Sequence, residues 1–113
     1  MSVSVVITSY NTAKYTNQCI KSVIAQSDYD SIDKIFIVDD GSTDETPQIL
    51  KQLKLKFDKI KIITTDRVGI SAARNIGIKS SKSKFIACLD GDDYWDKDKL
   101  KKQLKAFDND HLI

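Results

Sequence analysis

At 113 residues the chain is one domain's worth of sequence, long enough for a core but short for a complete enzyme of most α/β families. With 41% hydrophobic and 30% charged residues it reads as an ordinary soluble globular chain, and 18 basic against 16 acidic residues are too balanced to argue for a nucleic-acid partner. No apolar run approaches a membrane span and the N-terminus lacks a basic region followed by a long apolar core, so the expected location is cytoplasmic, with the inner face of the membrane open to a full-length protein.

Val3 to Ile7 is short and β-branched, which predicts a first strand near Val3 to Thr8, ending in Thr8-Ser9-Tyr10-Asn11. The next segment puts Ala13, Cys19, Ile20, Val23 and Ile24 largely on one helical face, with Lys21, Ser22 and Gln26 elsewhere. Asn11 or Thr12 can cap that helix by accepting from a first-turn amide. Residues 28–31 are turn chemistry. Ile35 to Val38 is a continuous apolar run, as in a strand covered on both faces, and predicts a second strand over Lys34 to Val38 that ends in Asp39-Asp40-Gly41-Ser42. The helix after it carries Ile49, Leu50, Leu53 and Phe57 on one face. Ser42-x-x-Glu45 resembles a capping box, but Pro47 would then clash with a carbonyl beyond the first turn; a start at Thr43 or Asp44 relieves the conflict.

A third strand over Ile60 to Thr64 leads into Thr65-Asp66-Arg67-Val68-Gly69. Ser71 to Ser80 then reads as a helix with Ile70, Ala73 and Ile76 or Gly77 inward. Arg74 and Asn75 fall on another face. A cation early in a helix opposes the dipole, so Arg74 calls for an anionic partner, a carboxylate or a ligand phosphate, unless it is simply solvated. Phe85 to Leu89 predicts a fourth strand, and Asp90-Gly91-Asp92-Asp93 follows it. Carboxylates at a strand end, with water and substrate phosphates completing the shell, are a usual way to hold Mg2+ or Mn2+. Gly91 would allow a sharp turn or a close ligand. The plainer alternative is an acidic first turn of the helix that carries Asp96, Asp98 and the Leu100, Leu104 and Phe107 face. Cys19 and Cys88 both lie in apolar patterns and read as buried packing residues of a reducing compartment. His111 is the one histidine, so neither a zinc cluster nor a Cys/His nucleophile is indicated. Lysines such as Lys51, Lys54, Lys101, Lys102 and Lys105 read as solvated helix faces.

Strands alternate with helices long enough for parallel crossovers, so the expected architecture is α/β: one domain over residues 1–113, a three-layer sandwich with a mainly parallel, Rossmann-like sheet. The four strand exits would then converge on one rim. The chain has neither a Gly-x-Gly-x-x-Gly turn nor a Gly-Lys-Ser/Thr motif, which sets aside dinucleotide and P-loop readings.

Five stretches taken together, Val5 to Asn11, Ser22 to Gln26, Ile37 to Asp44, Gly69 to Gly77 and Phe85 to Asp93, resemble the nucleotide-sugar-binding half of the family 2 glycosyltransferases of the GT-A fold, in family order over nearly the whole chain. The resemblance implies a donor site for a nucleoside diphosphate sugar, with uridine as the base. Thr8, Tyr10 and Asn11 would lie against base and ribose, and the Asp39-Asp40 pair would read the uracil edge, Asp40 directly and Asp39 alternatively as an acceptor within the turn. Asp66 would be an accessory base or ribose contact and Arg74 a neighbour of the diphosphate. In the family's Asp-x-Asp, Asp92 would ligate a divalent cation, Mn2+ or Mg2+, while Asp90 would join it or face the ribose. Transfer to an acceptor hydroxyl, on a glycan or glycoconjugate, would proceed by single displacement with inversion.

The pattern departs from the family where an acceptor-binding half should follow. The general base is expected beyond Ile113, since Asp96, Asp98, Asp108 and Asp110 read as solvated, so residues 1–113 are expected to be a donor-binding portion without activity of its own. A non-catalytic nucleotide-binding or interaction module is the alternative. A phosphoacceptor receiver domain needs an acidic pair after its first strand, where this chain has Thr8-Ser9-Tyr10-Asn11.

Overall fold

All seven residues of Val3–Ser9 are buried, which a strand achieves only with neighbours on both edges and cover on both faces. The computed structural model, which describes residues 2–109, places this strand, β1, inside a four-stranded sheet. In chain order there follow α1 (Ala13–Ile24), a 3-10 turn (Tyr29–Ser31), β2 (Ile32–Asp39), α2 (Thr46–Lys56), β3 (Ile60–Thr64), α3 (Ile70–Ser80), β4 (Phe85–Asp90) and α4 (Lys99–Asn109). The strand order is β3-β2-β1-β4 and every pairing is parallel, as expected for an α/β sheet. Asp110 and His111 lie outside the described residues, as do the side chains of Phe107 and Asp108.

Side chains in register on parallel strands share a face. Val5 stands beside Ile35 and Ala87, and Ile7 beside Ile37 and Leu89. This face closes over Cys19, Ile20 and Val23 of α1, Leu50 and Leu53 of α2, and Trp95, Leu100 and Leu104. The opposite face carries Val6 and Val38 and is covered by α3 through its buried small residues Ala73 and Gly77. Helices on both faces make the three layers. A Cβ at Gly77 would stand 2.5 Å from Val6 Cγ1 and 3.2 Å from Val38 Cγ2. Gly77→Ala is therefore expected to lose about 1–3 kcal/mol in urea unfolding through overpacking, whereas Gly normally costs a helix stability relative to Ala. A gain in stability would show that α3 does not approach the sheet this closely.

Several local expectations give way to longer-range contacts. α2 begins at Thr46, not at Thr43 or Asp44, so Pro47 sits in its first turn, where the missing N–H is no loss. Ser42 does not form a capping box and instead donates to the Asp39 carboxylate. Neither Asn11 nor Thr12 caps α1 with its side chain; Asp44 accepts from Ala13 N at 3.2 Å across the loops. Ile70, expected inward, is 52% exposed, and Cys88 is exposed while Cys19 is buried. Gln26, placed off the apolar face by its spacing, is buried because its amide bonds Ser22 O, Asp96 O and Leu100 N. Among the described residues no helix is long and apolar enough to cross a membrane.

Candidate functional site

Because β2 and β3 extend from one edge of β1 and β4 pairs with the other, the chain changes direction between β1 and β4. In open α/β sheets the crevice at the carboxyl ends of such strands is where ligands bind. A cleft of about 220 Å3 lies there, with Thr8, Ser9 and Tyr10 from β1 and its exit, Asp40 and Arg67 at one end, Asp90, Gly91 and Asp92 at the other, and Ile70 and Ala73 from the start of α3 along the wall.

At the Asp40 end the carboxylate is 2% exposed and accepts four hydrogen bonds. Oδ1 accepts from Thr65 Oγ1 and Val68 N, each at 2.7 Å, and Oδ2 accepts from Arg67 Nη1 at 2.7 Å and Gly69 N at 2.9 Å. Burial alone would raise its pKa, but these donors outweigh it and hold the group down at about 2. The loop after β3 is thus folded around one anion. Its turn needs Arg67 in the left-handed region, φ 53°, a conformation that costs a non-glycine residue on the order of 1 kcal/mol. The Arg67 guanidinium also lies over the Tyr10 ring, 3.6 Å from the centroid. Asp39 points into its own turn, accepting from Ser42.

At the other end, Gly91 N donates to Thr8 O at 2.8 Å, and a Cβ on Gly91 would lie 2.9 Å from that oxygen. The close approach that glycine permits is to the backbone of β1, and it holds the acidic turn against Thr8 and Ser9. The turn is tied from behind by buried Gln26, which donates to Asp96 O at 2.6 Å, and by Ser22 Oγ, which accepts from Trp95 N at 3.1 Å. α4 starts only at Lys99, so the Asp90 to Asp93 cluster is a turn of its own and not a helix N-terminus. Asp90 meets Arg74 at 3.4 Å and Thr8 Oγ1 at 3.5 Å. Arg74 thereby has the carboxylate partner its position called for, in a pair exposed enough to be weak. Asp93 Oδ1 accepts its neighbour Tyr94 N. Asp92 is exposed to the cleft, and among the described residues its carboxylate has no hydrogen-bond or ion-pair partner.

Negative charge accumulated at this turn reaches the thiol beneath it. Burial first, and then the charges of Asp93, Asp92 and Asp90, push the Cys19 pKa up to about 12, so this cysteine is a neutral packing group that donates weakly to Asp90 O. Cys88, although exposed at the surface, is raised as well, chiefly by partial desolvation of its thiol against the strand, and is likewise neutral. Among the described residues no three Asp, Glu, His or Cys side chains converge as a closed metal cage. The donor set does fit a hard cation of the Mg2+ or Mn2+ kind, which takes one or two carboxylates from the protein and leaves the other positions to water and phosphate oxygens.

Of the residues singled out from sequence, Thr8, Tyr10, Asp40, Asp90 and Asp92 line one cleft. Asn11 does not: its side-chain oxygen accepts from Thr43 N at 2.7 Å and Asp44 N at 3.3 Å, so it fastens the β1 exit to the β2 exit. Asp66 is exposed outside the lining, and Arg74 borders a second hollow on the far side of Asp90. Arg67 was missed. A non-glycine residue in the left-handed region leaves little trace in sequence when it is an arginine, because Asn, Asp and Gly are the residues that announce such turns.

Residues 4–113 match the family model described as Glycosyl transferase family 2. The chain is 38% identical, over its whole length, to an uncharacterised glycosyltransferase from Nostoc sp., of which it covers 35%. It superposes on residues 1–349 of TarS from S. aureus, solved in complex with UDP, with a TM-score of 0.86 and 31% identity, covering 98% of this chain and 33% of that one. A mannosyltransferase from Pyrobaculum calidifontis, solved with GDP-Man and Mn2+, shares the fold at a TM-score of 0.84 and 22% identity, covering 93% of this chain and 32% of that one. The chain thus spans about a third of the length of these relatives.

Proposed function

The chain belongs to glycosyl transferase family 2, and on that premise we propose that its cleft is the donor site of an enzyme that transfers a sugar from a UDP-linked donor to an acceptor hydroxyl. One observation carries the reading: a single crevice joins an aromatic ring and a buried carboxylate, Tyr10 and Asp40, to a free carboxylate, Asp92, at its opposite end. A nucleoside diphosphate has complementary ends, a flat base with an N–H edge and a charged diphosphate that travels with a divalent cation. The UDP complex of TarS supports uracil as the base.

Asp92, with Asp90 beside it, would hold the cation, Mn2+ or Mg2+. When bound, that cation would offset the charge that develops on the departing diphosphate. The chain's own contribution is placement. Tyr10 offers a ring face to the base, the Gly91 contact fixes the acidic turn against β1, and the first turn of α3 lines the cleft with the positive end of its dipole. Single displacement with inversion follows from the family reading, with an acceptor on a glycan or glycoconjugate. No residue of the cleft is assigned the general base. We assign the donor half of the site to residues 1–113, because both ends of the cleft, Tyr10 with Asp40 and Asp90 with Asp92, lie within them.

The test is calorimetric titration with UDP and with uridine, each with and without Mn2+. UDP is expected to bind with a dissociation constant between micromolar and millimolar, about 4–8 kcal/mol, and more tightly with the cation. Arg74→Ala should weaken UDP severalfold and uridine little, because only UDP carries the diphosphate anion. Equal losses for both ligands would give Arg74 a structural role instead, and absence of binding under all conditions would overturn the donor-site reading.

A further inference from the structure

Asp40 has no lone pair to spare. An ionised carboxylate offers about four acceptor positions, and Thr65, Val68, Arg67 and Gly69 occupy four. For a base to donate an N–H to this group, one resident donor has to leave. Two of the four are backbone amides fixed by the turn, and Thr65 is held beside them in the β3 exit. Arg67 differs: its side chain is 53% exposed on a flexible stem, although its guanidinium reaches a carboxylate that is only 3% exposed.

That guanidinium makes the two contacts a uracil ring would want. It is planar and lies 3.6 Å from the Tyr10 centroid, as a stacked base would, and it presents an N–H edge to Asp40 Oδ2 at 2.7 Å, as the N–H of a base would. We propose that Arg67 is a built-in occupant of the base seat, and that a nucleobase binds by displacing the guanidinium from Tyr10 and Asp40 into solvent. The device rests on the donor-site reading given above and adds to it an internal competitor. Its backbone is kept in place when the side chain leaves, because Val68 N and Gly69 N hold the turn through Asp40 independently of the guanidinium. Binding then exchanges one donor for another at Oδ2, so Asp40 remains saturated throughout. A latch of this kind lowers affinity for every ligand that needs the seat and leaves the remainder of the cleft untouched.

Removing the latch should therefore strengthen binding. Asn tolerates the left-handed conformation that Arg67 adopts at φ 53° and is too short to span from the turn to the Tyr10 ring as arginine does. In Arg67→Asn, uridine and UDP should both bind more tightly, and by the same factor, about 3- to 30-fold for the loss of a half-exposed ion pair and a cation–π contact. Arg67→Gly, which suits the turn without strain, guards against a folding defect in either variant, with the thermal melt as the control. Tighter binding of both ligands supports the latch, including the case in which only the variants bind measurably. Weaker UDP with unchanged uridine would make Arg67 a diphosphate contact, and weaker or unchanged binding of both would make it a wall of the site; each result overturns the latch while leaving the donor site standing. If neither ligand binds wild type or variants, the donor-site reading falls and the latch with it.

Discussion

Asp40→Ala is expected to cost the fold about 2–3 kcal/mol, a large effect for a residue at the edge of a cleft. The loss comes from what the carboxylate organises. Without it the Arg67 guanidinium can move into water at little cost, since its side chain is already half exposed. The amides of Val68 and Gly69 lose their acceptor while the turn still demands a left-handed Arg67, and Thr65 Oγ1 loses its partner. Asp39→Ala, by contrast, removes one bond from Ser42 and should cost only about 1 kcal/mol. The two neighbours therefore separate in a urea melt, and equal losses would contradict the four-donor arrangement.

The same group carries a pH dependence with a definite sign. Its folded pKa of about 2 lies below the unfolded value near 4, so its contribution to stability is fully present above about pH 4 and is lost as pH falls through 2. Thermal melts of wild type should accordingly drop between pH 4 and pH 2 more steeply than those of Asp40→Ala. Parallel slopes for the two proteins would show that the carboxylate is not held down.

For Asp92 the expectation reverses: a small effect on the fold and a large one on binding. Its side chain is exposed, without a partner among the described residues, and adjacent to Asp90 and Asp93, so Asp92→Asn relieves repulsion and should leave stability within about 0.5 kcal/mol of wild type. As the carboxylate assigned to the cation, its loss should abolish the part of UDP affinity that depends on Mn2+ and leave the metal-independent part intact. The measurement is UDP affinity with Mn2+ against UDP affinity with the cation chelated, for both proteins. An undiminished Mn2+ dependence in Asp92→Asn would remove the assignment, and a large loss of melting temperature would make Asp92 structural. Sugar transfer by residues 1–113 above the Asp92→Asn background would overturn the assignment of only the donor half of a site to this chain.

The strands and the rim they share were legible in sequence because their signal is local. Val3 to Ile7, Ile35 to Val38, Ile60 to Ile63 and Phe85 to Leu89 are mostly apolar stretches, broken only by Ser4 and Lys61 and each followed by polar turn residues, and all four lie in the parallel sheet. What escaped was set by contacts between loops far apart in the chain. The helix after Asn11 takes its cap from Asp44, Gln26 is buried because its partners arrive from the 96–100 segment, and Arg67 enters the cleft because Asp40 draws the following loop around itself. Cys88 and Ile70 have apolar patterns but face outward. β4 is an edge strand and α3 packs on β1 and β2, and Ile70 opens its helix at the lip of the cleft. Hydrophobic periodicity reports a face, and whether another element covers that face is decided elsewhere.

The donor site itself is tested most directly by following the backbone amides of the chain by NMR during titration with UDP in the presence of Mg2+. The expected result is a saturable set of shifts confined to the two ends of one crevice, at Ser9 and Tyr10, at Val68 and Gly69 beside Asp40, and at Gly91 and Asp92. With uridine alone the shifts at Tyr10, Val68 and Gly69 should persist while those at Gly91 and Asp92 fall away. Shifts that do not saturate at millimolar UDP, or that map to a surface other than the carboxyl ends of β1, β2 and β4, would contradict a nucleoside diphosphate site in this cleft.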